Sequence, residues 1–371
     1  MNADHADPTD PADRTLSDRV RAAVDTVDAP DVVFAYSRHG RRTITTGGTG
    51  TAPETPRAEL RYEIGSASKT LTMLLLADLA ARRHVRLTDP ADAWLFPPPA
   101  TSLGVPSGTR RARRVQSSRP PHPGPVTLLH LATHTAGLPR LPRDFYRQAV
   151  PRWRSNPYAG YSRDRLLAAY ARTRPRHAPG RRWRYSNFGA ALLGPVLGAA
   201  TGTPYARLLP HRLFGPLGMT SAGVLPLGPG TDAVGHARDG VTAVPPFDTG
   251  EGFLPAGAVR ATPADLLSYL EAHLRPHAGP HADRLRTALL AVQRPLLDRG
   301  IRHRHTHTLA WVRHPSPYGP LYFHSGATTG QEAFLAFQPD TGRALVALAT
   351  RRYSARTTLT QAAYGLLTEL P

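Results

Sequence analysis

The sequence contains no cysteine, so disulfides, thiolate metal sites, iron–sulfur clusters and cysteine nucleophiles are all excluded. It contains one lysine, Lys69; the other basic residues that make up its 46 are arginine. No apolar run approaches the roughly 18 residues of a membrane span. The nearest, from Leu71 to Ala81, is short and carries Asp78. Met1 to Thr15 holds Asp4, Asp7, Asp10 and Asp13 rather than a basic start and an apolar stretch. It does not read as a secretory leader, and a cytoplasmic protein without a membrane partner is expected. Residues 1–14 are expected to form a disordered acidic tail.

What is present is the composition of a globular chain: 371 residues, 40% hydrophobic and 20% charged, enough for a sizeable core. The formal charge of +19 at pH 7 raises a nucleic-acid reading. The arginines are spread along the chain, however, and no nucleic-acid motif accompanies them. Arginine in place of lysine follows from G+C-rich coding, so no nucleic-acid partner is expected; steep salt-dependent retention on DNA or RNA would mark the contrary case.

Against that bias the single lysine is informative. Guanidinium stays protonated, whereas burial or a nearby cation can make an ammonium give up its proton. Lys69 lies in Gly65-Ser66-Ala67-Ser68-Lys69-Thr70, after a short strand and turn at Arg61–Gly65 and at the head of a helix apolar on nearly every side. The spacing predicts Ser66 at the helix N-terminus, where free N–H groups favour developing negative charge, with Lys69 one turn later on the same face. That is the arrangement of an activated serine. A helix cap at Ser66 with a surface lysine also fits these residues.

The segment from Glu63 to Thr70 resembles the S-x-x-K active-site segment of the serine β-lactamase/penicillin-binding-protein family. It is most similar to class C β-lactamases and their esterase and D-amino-acid-peptide hydrolase relatives. Two later segments resemble further elements of that family in the right order. In Tyr185-Ser186-Asn187, the resemblance implies that Tyr185 is general base or proton relay and that Asn187 holds the substrate amide or carbonyl. A phenol beside an ammonium has its pKa lowered and can relay a proton, although a Ser/Asn cap on the apolar helix that follows would produce the same sequence.

In His324-Ser325-Gly326-Ala327, before two strand-like runs joined by Pro339-Asp340-Thr341-Gly342, the segment takes the place of the family's Lys-Thr-Gly on the sheet edge. The resemblance implies that the Ala327 and Ser66 amides form an oxyanion hole and that Gly326 lets the strand approach the substrate. His324 stands where a permanent cation would bind a carboxylate, which argues against strong β-lactamase activity. The segment Val126–Pro139 is also similar to the family, in a part that is structural there, so His130 and His134 receive no chemical role.

The expected fold is α+β and β-lactamase/transpeptidase-like. An antiparallel sheet built from both chain ends is flanked by helices, with a mostly helical subdomain over about 70–250. Residues 15–371 form a single domain. The hairpin at Val32–Tyr36 and Thr43–Thr46, the strands at 333–337 and 344–349, and a final helix from Arg356 to Leu370 belong to the sheet region. Thr262 is expected to cap a helix with Pro263 in its first position. Residues 97–125, rich in proline and arginine, read as a loop insertion. The alternation of His303, His305 and His307 could place ligands on one strand face, but the neighbouring Arg302 and Arg304 would repel a cation, and no metal or cofactor is expected.

The function expected from these residues is a serine hydrolase that forms a Ser66 acyl-enzyme on a small-molecule ester or peptide. Catalysis is assigned to Ser66, Lys69 and Tyr185, and binding to Asn187, His324, Ser325, Gly326 and Ala327. A catalytically silent binding protein and an acyl transferase or cyclase of small-molecule biosynthesis are the alternatives.

Overall fold

The computed structural model describes residues 11–97, 124–153, 155–279, 282–299, 305–354 and 357–369. Its centre is an eight-stranded sheet of β1 (Val32–Arg38), β2 (Arg41–Gly47), β5 (Leu297–Arg299), β6 (His305–His307), β7 (Val312–His314), β8 (Leu321–Ala327), β9 (Glu332–Gln338) and β10 (Arg343–Ala349). The spatial order is β2-β1-β10-β9-β8-β7-β6-β5, and each pairing is antiparallel. The hairpin β1–β2 therefore lies beside β10, with Val32 opposite Ala349 and Arg38 opposite Arg343. A separate two-stranded ladder joins β3 (Tyr62–Glu63) to β4 (Arg260–Ala261).

Twelve helices occur among the described residues: α1 (Pro11–Asp25), α2 (Ser68–Ala81), α3 (Ala91–Leu95), α4 (Leu128–Ala132), α5 (Phe145–Ala149), α6 (Arg163–Arg172), α7 (Asn187–Thr201), α8 (Tyr205–Leu209), α9 (Gly250–Gly257), α10 (Pro263–Leu274), α11 (Ala282–Ala291) and α12 (Leu359–Glu369). None is long and apolar enough to cross a membrane.

Successive side chains of a strand face opposite sides, and here both sides are covered. Val33, Ala35, Leu335, Phe337, Val346 and Leu348 share one core with the apolar faces of α2, α7 and α10. Val32, Phe34, Phe334, Ala336, Leu345 and Ala347 pack on the other side, against Val20 and Val24 of α1 and Leu366 and Leu367 of α12. This explains why β9 and β10 are apolar throughout rather than alternating.

Several boundaries differ from those expected. The helix α1 begins at Pro11, inside the expected acidic tail: proline, without an N–H to leave unpaired, suits a first turn, and Val20 and Val24 four residues apart anchor the helix to the sheet. Residues 1–10 lie outside the described residues, as do 98–123 of the loop insertion and His303. The final helix starts at Leu359 rather than Arg356. Thr262 caps α10 as expected, accepting from the Asp265 N–H at 3.1 Å while Asp265 accepts from the Thr262 N–H.

Candidate active site

Gly65–Ala67 forms a 3-10 turn that runs directly into α2, so Ser66 sits in the turn before the α-helix rather than in its first α-helical residue. Two glycines let this turn touch the sheet. Gly65 has φ +48°, and a Cβ there would lie 2.5 Å from the Ala327 carbonyl oxygen. A Cβ on Gly326 would lie 1.9 Å from the Ile64 carbonyl oxygen, 2.7 Å from the Ala67 nitrogen and 2.9 Å from the Ser66 nitrogen. The strand β8 can press against the backbone around Ser66 only because neither position carries a side chain.

The contact brings a second amide to the serine. Thr328 N–H donates to the Gln331 carbonyl at 2.9 Å, toward β9. Amides alternate sides along an antiparallel strand, so the Ala327 N–H faces away from β9. On that side β7 pairs only with Leu321–Phe323 and leaves the end of β8 as a free edge.

Lys69 is buried in α2, one turn beyond Ser66. Its Nζ donates to Ser66 Oγ at 3.0 Å and to the Ala256 carbonyl at 2.6 Å. Ala256, in α9, orients the amine and had no signal in the sequence beyond its place in an apolar segment. Tyr185 reaches the same hydroxyl, its Oη donating to Ser66 Oγ at 2.8 Å. The next residue, Ser186, caps α7 by accepting from the Gly189 N–H at 2.9 Å. The cap and the site contact thus belong to adjacent residues of one segment, and Tyr185 is free to reach back to Ser66.

Burial lowers the Lys69 pKa, Tyr185 pushes it back up and Arg140 lowers it again, for a net decrease. Burial raises the Tyr185 pKa, but the Lys69 charge, hydrogen bonding with Lys69 and Ser66, and Arg140 outweigh it, so the phenol too lies below its ordinary value. Lys69 Nζ and Arg140 Cζ sit 5.2 and 5.6 Å from the Tyr185 ring centroid. The serine hydroxyl is thus hydrogen-bonded by two groups that both release a proton more readily than in free solution.

These residues open onto a cavity of about 620 Å³, lined also by His324, Ser325, Gly326 and Ala327. His324 Nδ1 lies 2.7 Å from the Ser325 carbonyl; a carbonyl only accepts, so Nδ1 carries the proton and Nε2 is left as an acceptor. Burial, followed by the Lys69 charge, pushes its pKa down to about 4. It is neutral at pH 7.

Asn187 stands apart from this group. It does not line the cavity; its Nδ2 donates to Tyr158 Oη at 3.1 Å, while its Oδ1 is buried without a partner among the described residues.

Other lining residues were not assigned from sequence. His134 has φ +59°, a left-handed turn that brings its ring 4.6 Å from that of Tyr185, where it accepts from the Ser186 N–H at 3.3 Å. Burial and the Lys69 charge lower its pKa far below the ordinary histidine value. The His307 ring lies 5.5 Å from that of Trp183, tilted by 43°, and both residues line the cavity. His305 turns instead to His314. Among the described residues no three His, Asp or Glu side chains cluster as metal ligands. Glu332, opposite Ala327 in the ladder, also reaches the cavity.

The layers of this fold and the ordered serine, tyrosine and sheet-edge elements define a β-lactamase/transpeptidase-like protein. The class C β-lactamase structure from Rhodobacter sphaeroides superposes with a TM-score of 0.72 at 22% identity, covering 96% of this chain and 99% of that one. A family model described as Beta-lactamase matches residues 16–369, and the chain belongs to the beta-lactamase family. It is 26% identical over 238 residues to the Escherichia coli D-alanyl-D-alanine-carboxypeptidase/endopeptidase AmpH, a match covering 63% of this chain and 55% of that protein. The chain thus spans little more than half the length of that relative. A beta-lactamase from Pseudomonas fluorescens is 25% identical over 320 residues, with 79% of this chain and 80% of that protein covered.

Proposed function

We propose that the chain is a serine hydrolase acting through a Ser66 acyl-enzyme on a small ester or amide, with esterase or D-amino-acid peptidase activity favoured over β-lactam turnover. The observation that carries this reading is Ser66 Oγ held between Lys69 Nζ at 3.0 Å and Tyr185 Oη at 2.8 Å. Family membership supports the reaction class, and the names of relatives span carboxypeptidase and β-lactamase.

In the reactive form the Lys69–Tyr185 pair carries one proton fewer than an ammonium beside a phenol. The Ser66 proton passes to that pair as Oγ bonds to the carbonyl carbon. The carbonyl oxygen gains the negative charge and is received by the amides of Ser66 and Ala327. The same proton returns to the leaving oxygen or nitrogen as its bond to carbon breaks. Water then repeats the sequence and releases the acid. In this scheme Ser325 and Gly326 line the path along the free edge of β8. A neutral His324 offers no permanent charge to a substrate carboxylate, which is why β-lactams are disfavoured.

Intact-mass analysis after fluorophosphonate treatment, alongside turnover of p-nitrophenyl acetate and butyrate, tests the proposal. One adduct on Ser66 is expected, absent in Ser66→Ala. Turnover should fall by about 10²-fold or more in Lys69→Arg, because guanidinium cannot take the proton. A folded wild-type protein with neither adduct nor turnover would shift the reading to a silent binding protein.

A further inference from the structure

The cavity carries one acidic side chain among its described lining residues, Glu332, in a chain of formal charge +19. Glu332 opens β9 directly opposite Ala327. Paired residues of an antiparallel ladder point their side chains to the same face, so Glu332 and Ala327 share the face on which Phe334 packs toward α1 and α12, and both line the cavity. Glu332 is 4% exposed. Thr357 hydrogen-bonds to it, and no arginine or lysine among the described residues stands at ion-pair distance. The cation acting on it, Arg351, is committed elsewhere: it pairs with Asp28 and donates to the Arg238 carbonyl at 2.7 Å.

Ser325, Ser354, Thr357 and Gln361 also line the cavity and add neutral polar groups. Trp183, Leu309, Trp311 and Val312 give the same lining an aromatic and apolar part.

We infer that Glu332 forms a subsite for a primary amine, so that the cavity takes substrates that carry both an apolar or aromatic portion and an ammonium group. A buried carboxyl without a paired cation costs free energy unless something compensates for it, and an ammonium donating to it supplies both the missing charge and a charge-assisted hydrogen bond. Burial raises its pKa to about 7, with Thr357 and Arg351 opposing; a bound ammonium would draw it to the ionised form. The inference rests on reading this cavity as the substrate site.

Trp183 and Trp311 line the cavity, so their fluorescence can report binding to the full chain. The probes are phenethylammonium and 4-phenylbutylammonium, each against the alcohol of the same skeleton. Wild type is expected to bind at least one ammonium about tenfold more tightly than its alcohol, with the preference falling to near unity in Glu332→Gln and largely retained in Glu332→Asp. Equal binding of ammonium and alcohol by wild type would overturn the inference without any variant. An ammonium preference that persists in folded Glu332→Gln would overturn it as well. Fluorophosphonate labelling of the same wild-type sample reads the acyl-transfer proposal separately. An ammonium preference that depends on Glu332 supports the subsite even in a protein that does not label, and labelling without the preference removes the subsite alone.

Discussion

Replacing Gly326 by alanine perturbs the contact on which the proposed oxyanion site depends. The new Cβ would meet the Ile64 carbonyl oxygen at 1.9 Å and two further backbone atoms within 2.9 Å, where ordinary contact begins at 3.4 Å. None of the three atoms belongs to a side chain that can turn away. Strand and turn must therefore separate by about 1.5 Å, and the Ala327 amide moves with the strand. Displacement on that scale costs roughly 10²-fold in rate, while overpacking costs about 1–3 kcal/mol of stability. The expected Gly326→Ala protein is thus folded but labels at Ser66, and turns over p-nitrophenyl butyrate, about 100 times more slowly. Gly202→Ala is the control: it has φ +64° and nothing within 4 Å, so it costs about 1 kcal/mol of stability and leaves the rate alone. Rates would be compared at equal folded fraction, set by thermal unfolding. Labelling of Gly326→Ala within twofold of wild type would refute the argument that the approach of β8 builds the site.

Three other outcomes follow from the geometry. Glu63 accepts from the Phe247 N–H at 2.7 Å and from Arg260 at 3.1 Å, so Glu63→Ala strands the buried Arg260 charge; urea unfolding should show a loss of about 3–5 kcal/mol, and a loss below about 1 would refute the pairing argument. His324→Lys places an ammonium where the neutral imidazole stands, and acylation of Ser66 by benzylpenicillin, followed by mass, should rise about tenfold; an unchanged rate would show that charge at 324 does not limit carboxylate capture. Glu332 has its pKa raised from 4.5 to about 7, so the folded state holds its proton more tightly than the unfolded chain. That stabilisation is present below about pH 4.5 and is lost as pH rises through about 7. Between pH 4.5 and 8, wild type should lose about 2–3 kcal/mol more than Glu332→Gln, and parallel losses would contradict the assignment.

The parts of this protein legible from sequence are those in which local pattern and tertiary role coincide. Ser66 and Lys69 share one turn of a buried helix start, so spacing alone places them on the same face. The apolar runs of β9 and β10 and the turn between them identify the hairpin, and Thr262-Pro263 marks the start of α10. His134 illustrates the opposite case. It reads as part of a helix end, and only its left-handed backbone, folded against a tyrosine 51 residues later in sequence, makes it a wall of the cavity. Glu332 is one acidic residue at the head of an apolar strand, and its significance comes from the residue across the ladder. Asn187 was expected in the cavity from its place two residues after Tyr185, but it opens α7 beyond the Ser186 cap, and its amide turns instead to Tyr158.

The solitary lysine has a practical consequence. A protease that cleaves only after lysine meets a single bond in this chain, between Lys69 and Thr70. In the native protein both residues are buried in α2, which packs against α7, α9 and α11. Cleavage there requires opening of the helix that holds the nucleophile, so when reclosing outruns cutting, the digestion rate counts open molecules. One digestion, giving two fragments and needing no label, would read the opening free energy of the site itself and how far a bound ester restrains it.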